Sequence, residues 1–174
     1  MQVFFSLVLH SVLFFPVFSI KLVMRINAKI PKGGIIMKLS ARNQFAGQVV
    51  RVQEGIVNGI VTLDFNGGTI SGTISLAAIK ELGLAEGKKA VAIVKATEVM
   101  IGLGEMKLSA RNQFPGVITQ INEGGVNNIV TVELASGIKV SATISKNAVD
   151  ELGLTVGKNA TAVIKATSVM FGVE

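Results

Sequence analysis

The feature that most constrains this sequence is an internal duplication that covers residues 37–174. Three blocks recur in the same order in both copies: MKLSARNQF at 37–45 and 106–114, ELGLAEGK and ELGLTVGK at 81–88 and 151–158, and ATEVMIG and ATSVMFG at 96–102 and 166–172. Each copy has the length of a small domain, which distinguishes it from a short solenoid repeat. We therefore predict a first module at 37–104 and a second module at 105–174.

Strand-like segments dominate each module. After a short polar stretch at 40–45, residues 47–54 and 58–66 are rich in β-branched side chains and are bounded by Gly and Asn, which predicts a β-hairpin. A third strand is expected at 69–74 and a last strand at 88–97. Because the second module repeats this pattern, the predicted fold class is mainly β.

One short helix interrupts the strands of each module. Ser75 is suited to be its N-cap and Gly83 its C-terminal stop, and Ser145 and Gly153 occupy the same positions in the second module. Five or so strands with one short helix fit a small OB-like β-barrel. Such a module buries little core by itself, and the linker at 102–105 is short. We therefore expect the two modules to pack together as a pseudo-dimer.

Residues 1–36 form an apolar leader outside the duplication. The first basic residues, Lys21 and Arg25, follow the apolar run instead of preceding it. A secretory signal places positive charge before that run, whereas a membrane span needs about 20 apolar residues. Three interpretations stay open: a mis-assigned start, with Met24 or Met37 as the true one, a membrane anchor, or a secretory signal. We expect a cytoplasmic protein, or a membrane-anchored or exported one if the leader is genuine.

Composition excludes several kinds of site. The chain has no Cys, and its single His, His10, lies in the leader, which excludes thiolate chemistry, a Ser–His–Asp triad and a His-rich zinc site from both modules. The net charge of +6 comes mostly from four basic residues of the leader, because residues 37–174 hold 13 basic and 11 acidic residues. With no Trp or Tyr, the modules lack the aromatic platforms and basic groove of a nucleic-acid module. We expect neither an enzyme nor a nucleic-acid partner.

Polar residues that are identical in the two modules are candidates for a shared role, because other strand positions diverge. They carry hydroxyl, amide or cationic groups: Ser40 and Ser109, Arg42 and Arg111, Asn43 and Asn112, Gln44 and Gln113, Ser75 and Ser145, Lys95 and Lys165, and Thr97 and Thr167. A set rich in hydrogen-bond donors and poor in acids suits an anion, whereas a metal cation would need carboxylate, imidazole or thiolate ligands.

Each of these residues also has an ordinary structural explanation. The two Ser residues before the helices are common N-caps, and the Arg residues are candidates for surface salt bridges. A Lys at a strand end can extend its head into solvent. Asn43 and Gln44 are candidate turn formers, a role that we favour for Gln44. The combination of SARN, a Ser-capped helix and KAT in both modules is more specific than any single residue.

Together these segments resemble the molbindin, or Mop, domain of the TOBE superfamily. The SARNQ near each module start, the IS and ELGL segment and the closing KAT match in order in both copies, over essentially all of residues 37–174. Two copies in one chain resemble the tandem di-Mop proteins. The resemblance implies two tandem OB-like β-barrel modules that bind molybdate, or tungstate, in the cytoplasm. It also implies a homo-oligomer similar to a trimer of two-module chains, with a membrane association only if the leader is genuine.

Carried over by motif position, the resemblance implies an oxyanion site in each module, completed by the KAT residues at the end of the last strand. The implied donors are Ser40, Arg42, Asn43, Ser75, Lys95, Ala96 and Thr97 in the first module, and Ser109, Arg111, Asn112, Ser145, Lys165, Ala166 and Thr167 in the second. One departure is that some relatives have a further hydroxyl three residues after the helix-start Ser, where this chain has Ala78 and Ala148.

The leading hypothesis is therefore molybdate binding for intracellular molybdenum storage or homeostasis. A site made only of donors satisfies a tetrahedral dianion and disfavours protonated phosphate, whose hydroxyl would face another donor. The alternative is a molybdate-sensing accessory or regulatory subunit of a transporter or transcription system, a setting in which related modules occur. The preference among molybdate, tungstate and sulfate stays open.

Overall fold

Strands form most of both modules in the computed structural model, which describes residues 39–105 and 107–173. The first module consists of β1 (Asn43–Glu54), β2 (Asn58–Phe65), β3 (Gly68–Ser75), α1 (Leu76–Glu81), β4 (Lys89–Val94), a 3₁₀ turn (Ala96–Glu98) and β5 (Val99–Gly102). The second consists of β6 (Asn112–Asn122), β7 (Asn127–Leu134), β8 (Lys139–Ser145), α2 (Lys146–Glu151), β9 (Asn159–Ile164), a 3₁₀ turn (Ala166–Ser168) and β10 (Met170–Gly172). The predicted fold class is confirmed, and the expectations for residues 1–36 lie outside the described residues.

Each of the two five-stranded sheets contains one strand from the other module. The strand orders are β10-β4-β1-β2-β3 and β5-β9-β6-β7-β8. Phe171 of β10 lies opposite Ala92 of β4, and Ile101 of β5 lies opposite Ala162 of β9, both in antiparallel register. The expected packing of the modules therefore takes the form of an exchange of final strands. As a result, neither sheet consists only of residues from one predicted module, 37–104 or 105–174.

Two boundaries of the sequence-based assignment need correction. The first strand begins at Asn43 and not at residue 47 as predicted, because residues 43–46 also pair with β4. The predicted strand at 88–97 is wrong in its last residues, since β4 ends at Val94 and the KAT residues form a 3₁₀ turn. That turn redirects the chain into β5, a strand that was not predicted.

The helices begin and end as predicted. The Ser75 hydroxyl oxygen accepts a hydrogen bond from the backbone N–H of Ala78, at 3.1 Å, which caps α1. At the other end Gly83 has a φ of +59°, and the N–H groups of Gly83 and Leu84 donate to the carbonyls of Lys80 and Ile79. α2 has the same features. Each helix has six residues, and no helix in the described ranges has the length and apolarity needed to cross a bilayer.

The largest hydrophobic cluster contains residues of both modules, beside a smaller cluster that lies within the second module. The aromatic centre of the largest cluster combines Phe45 and Phe65 of the first module with Phe114 of the second, with ring centroids 4.9 to 6.2 Å apart. Buried aliphatic side chains from both modules surround these rings. Because neither module encloses this core alone, its burial stabilises the pair of modules together.

One core contact differs between the two halves of the molecule. Phe171 of β10 packs over Gly72 of β3, where a methyl group on the glycine would lie 2.5 Å from the Phe171 Cε2 atom. The equivalent positions in the other half carry Ala142 and Ile101. Phe171, which is larger than Ile101, thus accompanies Gly72, which is smaller than Ala142. The glycine is required because Phe171 packs closely against it.

We predict that Gly72→Ala lowers the free energy of unfolding by about 1–3 kcal/mol, because the added methyl group overpacks the contact with Phe171. Adding Phe171→Ile, which recreates the Ala142 and Ile101 pair of the other half, should restore most of the loss. Urea unfolding of the wild type, both single variants and the double variant gives the coupling energy. Additive effects of the two substitutions would contradict this account.

Candidate functional site

One open pocket brings together five of the predicted site residues of the second module. It has a volume of about 490 Å³ and is lined by Ser109, Arg111, Lys165, Ala166 and Thr167. The first module adds Thr73 from β3 and Met100 from the exchanged strand β5. We call this the Arg111 pocket. It is a site to which both modules contribute.

Strand register explains why these segments meet. Asn112 at the start of β6 pairs with Ile164 at the end of β9, so Arg111 and Lys165 are adjacent where the two strands part. In the first module Asn43 pairs with Val94, which makes Arg42 and Lys95 neighbours in the same way. Each module therefore presents one guanidinium and one ammonium group at the same sheet end. We call Ser40–Arg42 with Lys95–Thr97 the Arg42 surface.

The Lys-Ala-Thr turn supplies backbone donors as well as side chains. The N–H of Ser168 donates to the carbonyl of Lys165, at 3.0 Å, and so closes the 3₁₀ turn. The preceding N–H groups, of Ala166 and Thr167, have no partner within such a turn. Among the hydrogen bonds of the described residues, neither group donates one. Two backbone donors are thus available beside Lys165, and Ala96 and Thr97 repeat the arrangement.

The cations at these turns are exposed and are not used in ion pairs within the described part of the chain. The single ion pair there joins Lys139 to Glu133, at 3.6 Å. Among the described residues, Arg42 and Arg111 therefore have no acidic partner for the surface salt bridges that were the alternative explanation for them. Their guanidinium groups can donate charge-assisted hydrogen bonds to an anion.

Asn43 and Asn112 have a different task from the one the resemblance implied. The Asn112 side chain accepts from the N–H of Ser71, at 2.7 Å, and donates to the Ser71 carbonyl, at 2.9 Å. Asn43 holds Ser141 in the same way, at 2.7 and 2.9 Å. Both side chains are at least 98% buried. They join each module to the outer strand of the other, so their amides are not open to a ligand.

The remaining predicted residues do not line the Arg111 pocket. Ser75 and Ser145 are N-caps and are not among the residues that line the Arg111 pocket. Gln44 donates to the carbonyl of Ala41, at 3.1 Å, and Gln113 repeats this bond to Ala110. Gln44 itself lies in β1, and its side chain bonds back to the bend that precedes the strand, so its role as a turn former stays a prediction.

Sequence reasoning missed Thr73 and Met100. Both lie in the first module yet line a pocket built around second-module residues, because β5 is exchanged and β3 packs against the second 3₁₀ turn. A signal was present, since Thr73 and Thr143 are identical, as are Met100 and Met170. Their apolar surroundings made them look like ordinary strand residues.

The chemistry of the Arg111 pocket favours an anion. Its lining offers hydroxyl, ammonium, guanidinium and backbone N–H donors, and contains no carboxylate. Among the described residues no three His, Cys, Asp or Glu side chains are grouped to hold a metal ion. A second pocket of about 700 Å³ is lined by the carboxylate of Glu133 and otherwise by uncharged residues such as Pro115, and it offers no cationic side chain.

Comparison with known families identifies both modules. The model of the TOBE domain matches residues 39–101 and 108–171. The two matches follow the repeat that is visible in the sequence.

Individual relatives divide into longer and shorter proteins. The molybdenum transport protein ModE of Herbaspirillum seropedicae is 38% identical over 141 residues, which cover 79% of this chain and 52% of the relative. The chain therefore spans about half the length of that protein. A probable molybdenum-pterin-binding protein of Haemophilus influenzae is 57% identical over 68 residues, which cover 38% of this chain and 99% of the relative.

A solved structure shares the two-module architecture. It is that of the cytoplasmic molybdate-binding protein ModG with molybdate bound, and it is 42% identical, with a TM-score of 0.77. The match covers 79% of this chain and all of that one. The agreement extends over both modules and includes their mutual arrangement.

We predict that Asn112→Ala lowers the free energy of unfolding by about 2–3 kcal/mol, because it leaves the backbone N–H and C=O of Ser71 without their buried partner. Gln120→Ala serves as the control, since Gln120 is exposed and bonds only to the neighbouring Asn122 side chain. The control should change stability by no more than about 0.5 kcal/mol. Urea unfolding measures both, and equal values for the two variants would contradict the assigned role.

Proposed function

Because this chain belongs to the TOBE domain family, we propose that it binds molybdate and serves intracellular molybdenum storage and homeostasis. The observation that carries the proposal is the Arg111 pocket, whose lining holds two cations, no carboxylate, and two backbone N–H groups that have no hydrogen-bond partner among the described residues. Molybdate is a tetrahedral dianion with acceptor oxygens only, and such a donor set matches it. The names of the relatives and the molybdate bound to ModG support this ligand.

We propose a separate role for each kind of donor in the site. Arg111 and Lys165 attract and orient the dianion, the N–H groups of Ala166 and Thr167 bind its oxygens, and the hydroxyls of Ser109 and Thr167 complete the set. The equivalent donors of the first module are Ser40, Arg42, Lys95, Ala96 and Thr97. Ser75 and Ser145 each retain a hydroxyl proton beyond their capping bond, with which they extend the set. Asn43 and Asn112 are left out, since their amides hold the modules together.

This function involves binding and release without covalent chemistry, so the chain is proposed not to be an enzyme. Tungstate has the same charge and shape as molybdate and should bind as well. Sulfate is also a tetrahedral dianion, and the fit of the smaller ion to the site decides how well it competes.

An assembly of several chains in the cytoplasm is part of the proposal. Met100 and Leu108, at the rim of the Arg111 pocket, are 46% and 45% exposed, and their equivalents in the repeat, Met170 and Leu39, are 45% and 48% exposed. Apolar side chains next to a polar site are suited to be covered by another copy. These surfaces support association between copies, and the proposed number of three two-module chains comes from the resemblance.

A second candidate is a sensing role, in which the two modules report bound molybdate to a partner. The observation that favours it is the match to ModE, a protein about twice as long as the matched region. Under this alternative the ligand and the site stay the same, and a complex with a second protein should depend on molybdate.

We predict that Lys95→Gln with Lys165→Gln weakens molybdate binding at least about tenfold, because each substitution removes a charge-assisted hydrogen bond. The matched control is Lys80→Gln with Lys89→Gln, which removes the same charge from exposed positions of α1 and of the far end of β4. Isothermal titration of purified protein gives the affinities. Absence of wild-type uptake at micromolar molybdate would refute the proposed function.

We also predict that phosphate competes poorly at neutral pH. Hydrogen phosphate carries an O–H that would face another donor in this site, whereas tungstate has only acceptor oxygens. Competition against bound molybdate should therefore require far more phosphate than tungstate. Equal competition by the two anions would show that charge alone governs the site.

A further inference from the structure

The two Lys-Ala-Thr turns of one chain are joined by a direct hydrogen bond. The Ser168 hydroxyl donates to the carboxylate of Glu98, and the distance between the Ser168 Oγ and Glu98 Oε2 atoms is 2.8 Å. Glu98 ends the first 3₁₀ turn and Ser168 ends the second, and the two residues occupy equivalent positions in the repeat. The two groups of proposed oxyanion donors therefore meet at this bond.

Glu98 is also the one difference in charge between the turns. The first turn reads Lys-Ala-Thr-Glu and the second Lys-Ala-Thr-Ser, so the carboxylate has no counterpart in the second module. The described residues offer it no ion-pair partner within 4.0 Å, since their one ion pair joins Lys139 and Glu133. A neutral hydroxyl is its hydrogen-bond donor, which leaves the full negative charge in place.

We infer that Glu98 is an affinity-determining residue that opposes oxyanion binding at both turns and so keeps the bound ion releasable. The inference rests on the proposed function. The carboxylate belongs to the residue after Thr97 and contacts the residue after Thr167, so a dianion held by either turn lies near a like charge. The carboxylate and the dianion are like charges and repel each other, and at partly exposed sites this repulsion is reduced by salt.

The bond to Ser168 fixes where this charge acts. Glu98 is exposed, so without this bond its flexible side chain would be free to move away from both turns. With it the carboxylate is held between the turns. Charge and position are separable in experiment, because Gln at position 98 keeps the acceptor oxygen, whereas Ala at position 168 removes the donor.

The test is isothermal titration of full-length wild type and variants with molybdate and tungstate, at low and at moderate salt. Glu98→Gln should bind about three- to tenfold more tightly at low salt, and the gain should shrink as salt increases. Ser168→Ala should change affinity in the same direction but less. The matched control, Glu54→Gln, removes an exposed carboxylate at the opposite end of β1 from the site and should leave the affinity within twofold.

The outcomes separate this inference from the proposed function. Wild-type binding with an unchanged or weaker affinity in Glu98→Gln overturns the role of Glu98 alone. An equal gain in Glu54→Gln also overturns it, because the effect would then be one of net charge. Failure of both wild type and Glu98→Gln to bind either oxyanion overturns the proposed function together with the inference.

Discussion

The exchange of final strands is the constraint on which the rest of this structure depends. Neither module completes its sheet with its own residues, since β5 pairs with β9 and β10 pairs with β4. The shared Phe core and the reciprocal Asn hydrogen bonds also hold the two modules together. A module of this size buries little apolar surface by itself, and joining two in this way gives both a common core.

The exchange also produces the candidate site. The 3₁₀ turn that carries Lys, Ala and Thr is the bend through which the chain leaves its own sheet for the other. Such a bend exposes backbone N–H groups that no strand partner satisfies. The donors that suit an oxyanion are therefore a direct product of the route that the chain takes between the modules. This explains why first-module residues, Thr73 and Met100, line a pocket around Arg111.

Much of the fold was predictable because the signals were local. Alternating β-branched residues predicted the hairpins, and Ser75 and Gly83 marked the helix ends through capping that involves only nearby residues. The exchange was not predictable, since a strand such as β5 has the same sequence pattern whether it pairs within its module or across it. For the same reason Asn43 was recognised as important but given the wrong kind of partner. An Asn that occurs at the same position of both modules indicates that its hydrogen bonds matter. Only its neighbours in the folded structure show whether those bonds are made to backbone or to a ligand.

The unequal packing around Gly72 has a consequence for how chains recognise themselves. Phe171 fits over a glycine, whereas the corresponding position in the second sheet holds Ala142, which carries a methyl group that Gly72 lacks. If the β10 strand of one molecule paired with the second sheet of a neighbour, its Phe171 would meet the Ala142 methyl group. Duplication followed by divergence at one pair of positions thus makes the two halves complementary and distinct, which favours the correct mate among near-identical surfaces during folding.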